Sequence, residues 1–382
     1  MRNQILDANY WQNNLVGADR GKHITHQFNG VIGGPIRKER DFLFFSFEGF
    51  REVVPFPVVA NTPPPDLIAG DFTKYGFRIF DPLTGHNCVN TVDVPVACAS
   101  PIIRNPFPGN VIPANRVSPV GKKILTFFPQ PNIGGNIISQ NFVNSGSVGR
   151  YRYDQPMFRI DRVLDQNSRL NGVFTYQHGH EYRNQTGIPG LAASGNINSQ
   201  RTNLNAIISY TRVITPALVF DARLSYGRFT SYFPDADVDS GITAADLGMT
   251  SVLRAPTSTT NFPPRIIIDQ ASNLFGNGGN LYTWTTSNQW NLAPTFSLVR
   301  GSKTIKFGAD LVYAGQGTGS IGQANGQLQF TRYGSQQYPL RAGNNRDGSG
   351  IADVLLGIPG AGFVDWNDTY YRSWPYFGFF AQ

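Results

Sequence analysis

"LVFDARLSYG", residues 218–227, alternates apolar and polar side chains almost without exception. Leu218, Phe220, Ala222, Leu224 and Tyr226 take one parity; Val219, Asp221, Arg223, Ser225 and Gly227 take the other. Successive side chains of a strand point to opposite faces, so a period of two predicts a β-strand with one apolar and one polar face. The pattern recurs at 304–313, where Ile305, Phe307, Ala309, Leu311 and Tyr313 share a parity, and at 169–176, with Leu170, Gly172, Phe174 and Tyr176. At 203–211 it places Leu204, Ala206, Ile208 and Tyr210 together and leaves Ile207 as the one apolar residue on the polar side.

Working outward, such segments pair across short polar turns: "RKERD" (37–41), "LDQNS" (164–168), "VITPA" (213–217) and "VRGSK" (299–303). Between the pairs lie much longer stretches, at 52–149, 179–200, 231–282 and 315–368. Strict alternation of short and long connections is what an antiparallel transmembrane β-barrel requires, with short periplasmic turns and long extracellular loops. A soluble sandwich also alternates apolar and polar residues but has no reason to keep every second connection short. Tyr176, Tyr226 and Tyr313 fall ten to twelve residues beyond a short turn, where an outer aromatic belt would sit; Tyr210 marks the opposite interface. About nine strands are expected, at 26–34, 41–50, 151–163, 168–178, 202–212, 217–229, 284–298, 303–314 and from 369.

The composition agrees with this. Gly (41), Phe (28), Tyr (16) and Pro (26) are abundant, and charged residues make up 15%, well under the roughly 25% usual in soluble domains. No run of 18 apolar residues offers a spanning helix, which says nothing against spanning strands. The net charge of +7 is spread over single arginines without a basic block, so a nucleic-acid groove is not expected, and loops and a lumen facing anionic groups such as lipid phosphates are the better reading, with outer-membrane lipid and lipopolysaccharide as partners. The opening "RNQILDANYWQNN" has neither the apolar stretch nor the cleavage site of a secretory signal, so an exported chain would start upstream. Nine strands is odd, and "YFGFFAQ" (376–382) stops within an aromatic strand, so both ends are expected to be cut and the barrel incomplete.

"QFNGVIGGPIRKERDFLFFSFEGFR" (27–51) resembles the plug-to-barrel region of TonB-dependent outer-membrane transporters of the Oar-like group. "NPFPGNVIPANRVSPVGKKILTFFPQPN" (105–132) is similar to that group's first large extracellular loop, and "GIADVLLGIPG" (350–360) and "YFGFFAQ" to the approach to a later strand. The resemblance implies that residues 1–25 are the end of a plug or the plug–barrel junction, that 26–382 are part of the barrel and that 52–149 form a large extracellular loop. It further implies uptake of a scarce ligand, powered by the TonB energy-coupling complex through parts this sequence lacks. Within 27–51, "GGP" is expected to end a strand at Pro35, with Leu43, Phe45 and Phe47 facing lipid and Ser46 and Glu48 the lumen.

Candidate chemistry is sparse. Loop arginines and aromatics, Arg104, Phe107, Arg116, Phe127, Phe128, Arg254 and Arg265, are candidates to grip a small ligand, carbohydrate, peptide or metal chelate. "DADVDSGITAAD" (235–246) spaces Asp235, Asp237, Asp239 and Asp246 as a Ca2+ loop would. Its glycine, Gly241, is at position seven instead of six, and Asp replaces the final Glu, so a solvated acidic loop is the competing reading. Cys88 and Cys98 suit either a disulfide or two free thiols. His178 and His180 share a strand face beside Glu181 and could hold a metal, but no third ligand is readable and a polar rim is preferred. No nucleophile elbow, phosphate loop, metalloprotease helix or dinucleotide fingerprint occurs, so an enzyme is not expected. The competing functions are a barrel for adhesion or secretion and a soluble glycan-binding sandwich.

Overall fold

The computed structural model describes residues 2–9, 11, 14, 20–88, 101–183, 188, 197–233, 242–249, 263–275, 283–320, 322–339 and 347–382. Among them the strands are β1 (Ile24–Arg37), β2 (Asp41–Pro55), β3 (Val58–Ala60), β4 (His86–Asn87), β5 (Ile102–Ile103), β6 (Phe142–Asn144), β7 (Val148–Asp165) and β8 (Ser168–Arg183). They continue with β9 (Ile197–Thr215), β10 (Leu218–Phe233), β11 (Arg265–Ile268), β12 (Thr283–Arg300), β13 (Lys303–Gly319), β14 (Gln327–Phe330), β15 (Ala361–Phe363) and β16 (Tyr370–Ala381). Three short α-helices accompany them: α1 (Pro65–Ile68), α2 (Pro119–Leu125) and α3 (Gly350–Leu356). No described helix is long and apolar enough to cross a membrane.

Nine long strands, β1-β2-β7-β8-β9-β10-β12-β13-β16, form one antiparallel meander in chain order. The sheet is open, with β1 and β16 as its edges, as an incomplete barrel would be. Its register joins the apolar parities into continuous rows. Ile32, Phe45, Phe158, Phe174, Ala206, Tyr226, Trp290 and Tyr313 stand opposite one another in succession. So do Leu43, Ile160, Gly172, Ile208, Leu224, Leu292, Leu311 and Phe377. The opposite face carries Ser46, Met157, Thr175, Asn205, Gly227, Gln289, Ala314 and Trp374.

Among the described residues no second sheet covers the apolar face, and Phe158, Ile208, Trp290 and Phe377 are exposed on it. Keeping such side chains in water forfeits roughly 1.5–3 kcal/mol each, which a hydrocarbon environment removes. The soluble-sandwich reading therefore fails on the bare face. Aromatic pairs band it: Phe220 and Phe296 lie 4.8 Å apart and Phe296 and Phe307 5.3 Å apart near the short turns, and Tyr226 and Trp290 4.4 Å apart further up. Tyr226 and Tyr313 share a row as expected, while Tyr176 sits one row further from the turns, opposite Leu204.

One expectation for 27–51 is corrected. "GGP" does not end a strand: β1 runs through Pro35 to Arg37, with a ladder irregularity between those two residues. Pro156 and Pro294 likewise lie within β7 and β12, so a proline does not by itself end a strand of this sheet. The "EGF" triplet also has a steric reason. Phe28 from β1 lies across Gly49, where a Cβ would come within 2.3 Å of the ring, so the aromatic covers the gap in the ladder.

The long connections fold into a domain of their own, which the sequence reading did not foresee. All leave from one end of the sheet, and together they build a cap. Its core joins Leu67, Phe72, Ile79, Phe107, Ile124 and Leu125 from the first connection, Ile188 from the second, Leu247, Ile266 and Phe275 from the third, and Phe330, Ile351 and Leu355 from the fourth. No buried hydrophobic residue of this core comes from the nine long strands. A three-stranded sheet, β11-β14-β15, and the pairs β3-β6 and β4-β5 frame it. Ser118 and Ser349 cap α2 and α3 by accepting from the amides of Gly121 (3.3 Å) and Ile351 (3.2 Å). The helices touch at Gly121, where a Cβ would fall 1.8 Å from the Val354 carbonyl oxygen.

Two predictions follow from these surfaces. Leu224→Arg, on the apolar face, should destabilise the folded barrel by about 2–4 kcal/mol, while Ser225→Arg, one residue on, should be near neutral, as read by urea unfolding in lipid vesicles. Gly121→Val should cost the cap about 1–3 kcal/mol and expose it to limited proteolysis, leaving the strands protected.

Candidate functional site

The residues singled out as ligand contacts turn out to organise the cap. Phe107 and Phe128 are buried in its core, and Phe127 packs edge-on against Phe275 at 5.3 Å. Arg116 clasps Asp81 through two hydrogen bonds of 2.6 and 2.7 Å and lies 5.8 Å from the Phe107 ring. That guanidinium holds the Asp81 carboxyl below the usual range. Arg104, half-buried, donates to the carbonyls of Tyr333 (2.8 Å) and Gly334 (3.0 Å), and so ties the first long connection to the fourth. Arg265 donates to Gln327 Oε1 at 2.9 Å across the β11-β14 pair. Arg254 lies outside the described residues.

Of the Ca2+ candidates, Asp235, Asp237 and Asp239 lie outside the described residues. The Asp246 carboxylate accepts from the Thr243 amide (2.8 Å) and hydroxyl (2.7 Å), which lower its pKa. Among the described residues no three His, Cys, Asp or Glu side chains gather as metal ligands. His178 meets the Thr202 hydroxyl at 3.1 Å and His180 meets Asn198 Oδ1 at 2.5 Å, whereas Glu181, on the opposite face, pairs with Arg183 at 2.7 Å. Cys98 lies outside the described residues, and with it the question of its pairing with Cys88.

What the structure does assemble is a cleft of about 380 Å³ on the polar face. Asn203, Asn205, Ser287, Gln289 and Gln316 line it with amides and a hydroxyl, flanked by the rings of Phe229 and Trp374. These residues come from β9, β10, β12, β13 and β16, and the register sets them side by side: Asn203 opposite Phe229, Phe229 opposite Ser287, Ser287 opposite Gln316. Ser287 is only four residues inside the cap-side end of β12, so the cleft opens toward the cap. Its lumen-facing side chains are neutral, and each amide offers both donor and acceptor. Sequence reasoning missed the site because its members are spread over 172 positions, from Asn203 to Trp374. The available signal was their shared polar parity, which marks a face but not a neighbour.

One buried carboxyl in the cap has a pH consequence. Asp353, within α3, accepts from the Gly334 amide at 2.8 Å, and its Oδ1 has no hydrogen-bond partner. Burial pushes its pKa up to about 8, against the opposing pull of Ser335, Gly334 and the Arg104 charge. The folded cap thus holds a proton that the unfolded chain releases near its ordinary value of 3.8. Stability from this group is complete below the lower value and is lost as pH rises through the higher one. Proteolysis of the cap should accelerate between pH 4 and about 8. Asp353→Asn, which cannot titrate, should flatten that dependence.

Among curated proteins none matches the chain. Among solved structures, the outer membrane transporter YddB from Escherichia coli aligns with 85% of this chain and 30% of its own, at 5% identity and a TM-score of 0.43. The closed form of the ferric-catecholate import receptor Fiu from E. coli K12 aligns with 95% of this chain and 41% of its own, at 10% identity and a TM-score of 0.41. The chain therefore spans less than half the length of these neighbours. The sequence itself matches the outer membrane beta barrel domain over residues 1–382, in keeping with a bare apolar face, a polar lumen face and long connections on one side, and the chain belongs to that family.

Proposed function

We propose that this chain is the barrel segment of a TonB-dependent transporter of the Oar-like group, and that its lumen cleft receives a neutral polar ligand, a carbohydrate or peptide fragment, on the way across the outer membrane. The observation that carries the reading is the cleft: uncharged amides set between two aromatic rings, beneath a folded cap. Amides can match hydroxyl or peptide groups in pairs, and an aromatic ring can take the flat face of a sugar. A charged chelate would find no lumen-facing counter-charge among the residues lining the cleft. The cap's exposed surface is the first contact, with Arg104 and Arg116 holding its loops in place. Residues 1–25 are the end of the plug or the plug–barrel junction in this reading, and TonB is the energy-coupling partner. The resemblance of 27–51 and 105–132 to that transporter group supports both statements.

The test uses the full-length protein in detergent, titrated with a panel of neutral oligosaccharides and peptides. One class should saturate, and Trp374→Ala and Gln289→Ala should each weaken that binding by about tenfold, the loss expected for a stacking ring or a hydrogen-bonding amide. Binding unchanged in both variants would remove the cleft from the pathway. Uptake by cells that persists after collapse of the inner-membrane proton gradient would remove TonB.

A further inference from the structure

The lipid face carries a second recess, of about 400 Å³, between the ends of β1, β2, β7 and β8 nearest the cap. Register places His26, Arg51, Arg152 and His180 in one row across these four strands, and Ile24, Val53, Arg150 and Tyr182 in the next. All share the parity of Phe45, Phe158 and Phe174, so they project from the face that meets the membrane. Three arginines and two histidines are therefore gathered where the rest of that face is apolar.

Their height is informative. Arg51 lies ten residues beyond Asp41, the first residue after a short turn, and Arg152 lies ten before Arg162, the partner of Asp41. A tilted strand crosses the hydrocarbon core in about 9–11 residues. The cations thus stand at the boundary between acyl chains and headgroups, on the extracellular side where the cap is. Below them Phe28 and Phe47, 6.2 Å apart, and Tyr176 offer an apolar surface to chains.

The charges are poorly compensated by the protein. Among the described residues of this face only Asp154, one row below, supplies a carboxylate, and it is taken by Arg51 at 2.6 Å. Arg51 is held further by the carbonyls of Phe50 and Tyr153, each at 2.7 Å, and lies 5.6 Å from the Phe28 ring. Glu52 has the other parity and faces His23 at 3.6 Å. Arg150 and Arg152 are exposed and form no ion pair with any described carboxylate. Two free guanidiniums beside a fixed third make a fork suited to phosphate oxygens, which guanidinium binds through paired hydrogen bonds.

We propose that this recess is a binding site for a phosphorylated glycolipid of the outer leaflet. Arg150 and Arg152 grip its phosphate groups, Arg51 positions them, His26 and His180 flank them, and the acyl chains run down over Phe28, Phe47 and Tyr176. The site rests on the membrane face alone and stands apart from any ligand in the lumen.

Native mass spectrometry of the full-length protein, loaded with bisphosphorylated lipid A in detergent, tests this. The intact protein should retain the lipid, and R150Q/R152Q should retain at least tenfold less while still running as a folded, heat-modifiable barrel. R150K/R152K, which keeps the charge but loses the paired hydrogen bonds, should fall between the two, and Arg223→Gln, on the lumen face, should keep all of the binding. Equal retention of fully dephosphorylated lipid A, or undiminished retention by R150Q/R152Q, would overturn the proposal. So would displacement of the lipid by millimolar inorganic phosphate, which would make the recess a site for free anions.

Discussion

Backbone hydrogen bonding in a medium without water constrains everything else in this protein. Within a bilayer every strand amide and carbonyl must find a partner on a neighbouring strand, so the ladder has to be continuous and in register across the whole sheet. From β1 to β16 it is, apart from irregularities beside three of the short turns, and the register then assigns each side chain to lipid or lumen by parity alone. A slip of one residue anywhere would carry Phe158 or Leu224 into the lumen and Asp161 or Arg223 into hydrocarbon. The two faces are therefore one decision made once. Ion pairing on the lumen side follows it, as between Arg159 and Asp161 at 2.8 Å, and so does the Asn291–Asp310 hydrogen bond.

The same constraint explains where the protein keeps its interior. A sheet that shows lipid on one face and a polar lumen on the other has no place for a conventional core. The buried hydrophobic side chains are instead in the cap, where connections far apart in sequence meet. There ordinary rules return: serine caps open α2 and α3, a glycine permits the helices to touch, and arginines bind loop carbonyls and carboxylates. Arg104 and Arg116 are more useful to the cap as ties than as free cations, since each satisfies groups that burial would otherwise leave unpaired.

In the outer membrane of a Gram-negative bacterium these surfaces face three environments. Hydrocarbon meets the aromatic rows, the headgroup layer meets the arginine recess, and the lumen meets the neutral cleft. The last two differ in charge because their surroundings do. An arginine at the headgroup boundary can reach phosphate and water while its stem lies along apolar surface. Within the cleft, amides keep a polar surface without attracting ions.

Residues 218–227, 304–313 and 169–176 were enough to read strands, faces and the alternation of short and long connections, and hence a barrel in a membrane. Those properties are local: parity and turn chemistry are set by neighbours a few residues apart. The passage through Pro35 was not legible, because it depends on the pairing of β1 with β2, which is a fact about the sheet. Nor was the cap, whose core joins Phe107, Ile188, Phe275 and Ile351 from four connections whose apolar residues follow no period. The lumen cleft and the arginine recess were hidden for the same reason. Asn205, Gln289 and Trp374, like Arg51, Arg152 and His180, become neighbours only when the register is fixed. The sequence by itself determined which face each strand residue takes; only the tertiary structure decided which residues share a row, because register belongs to the paired ladder and not to any one strand.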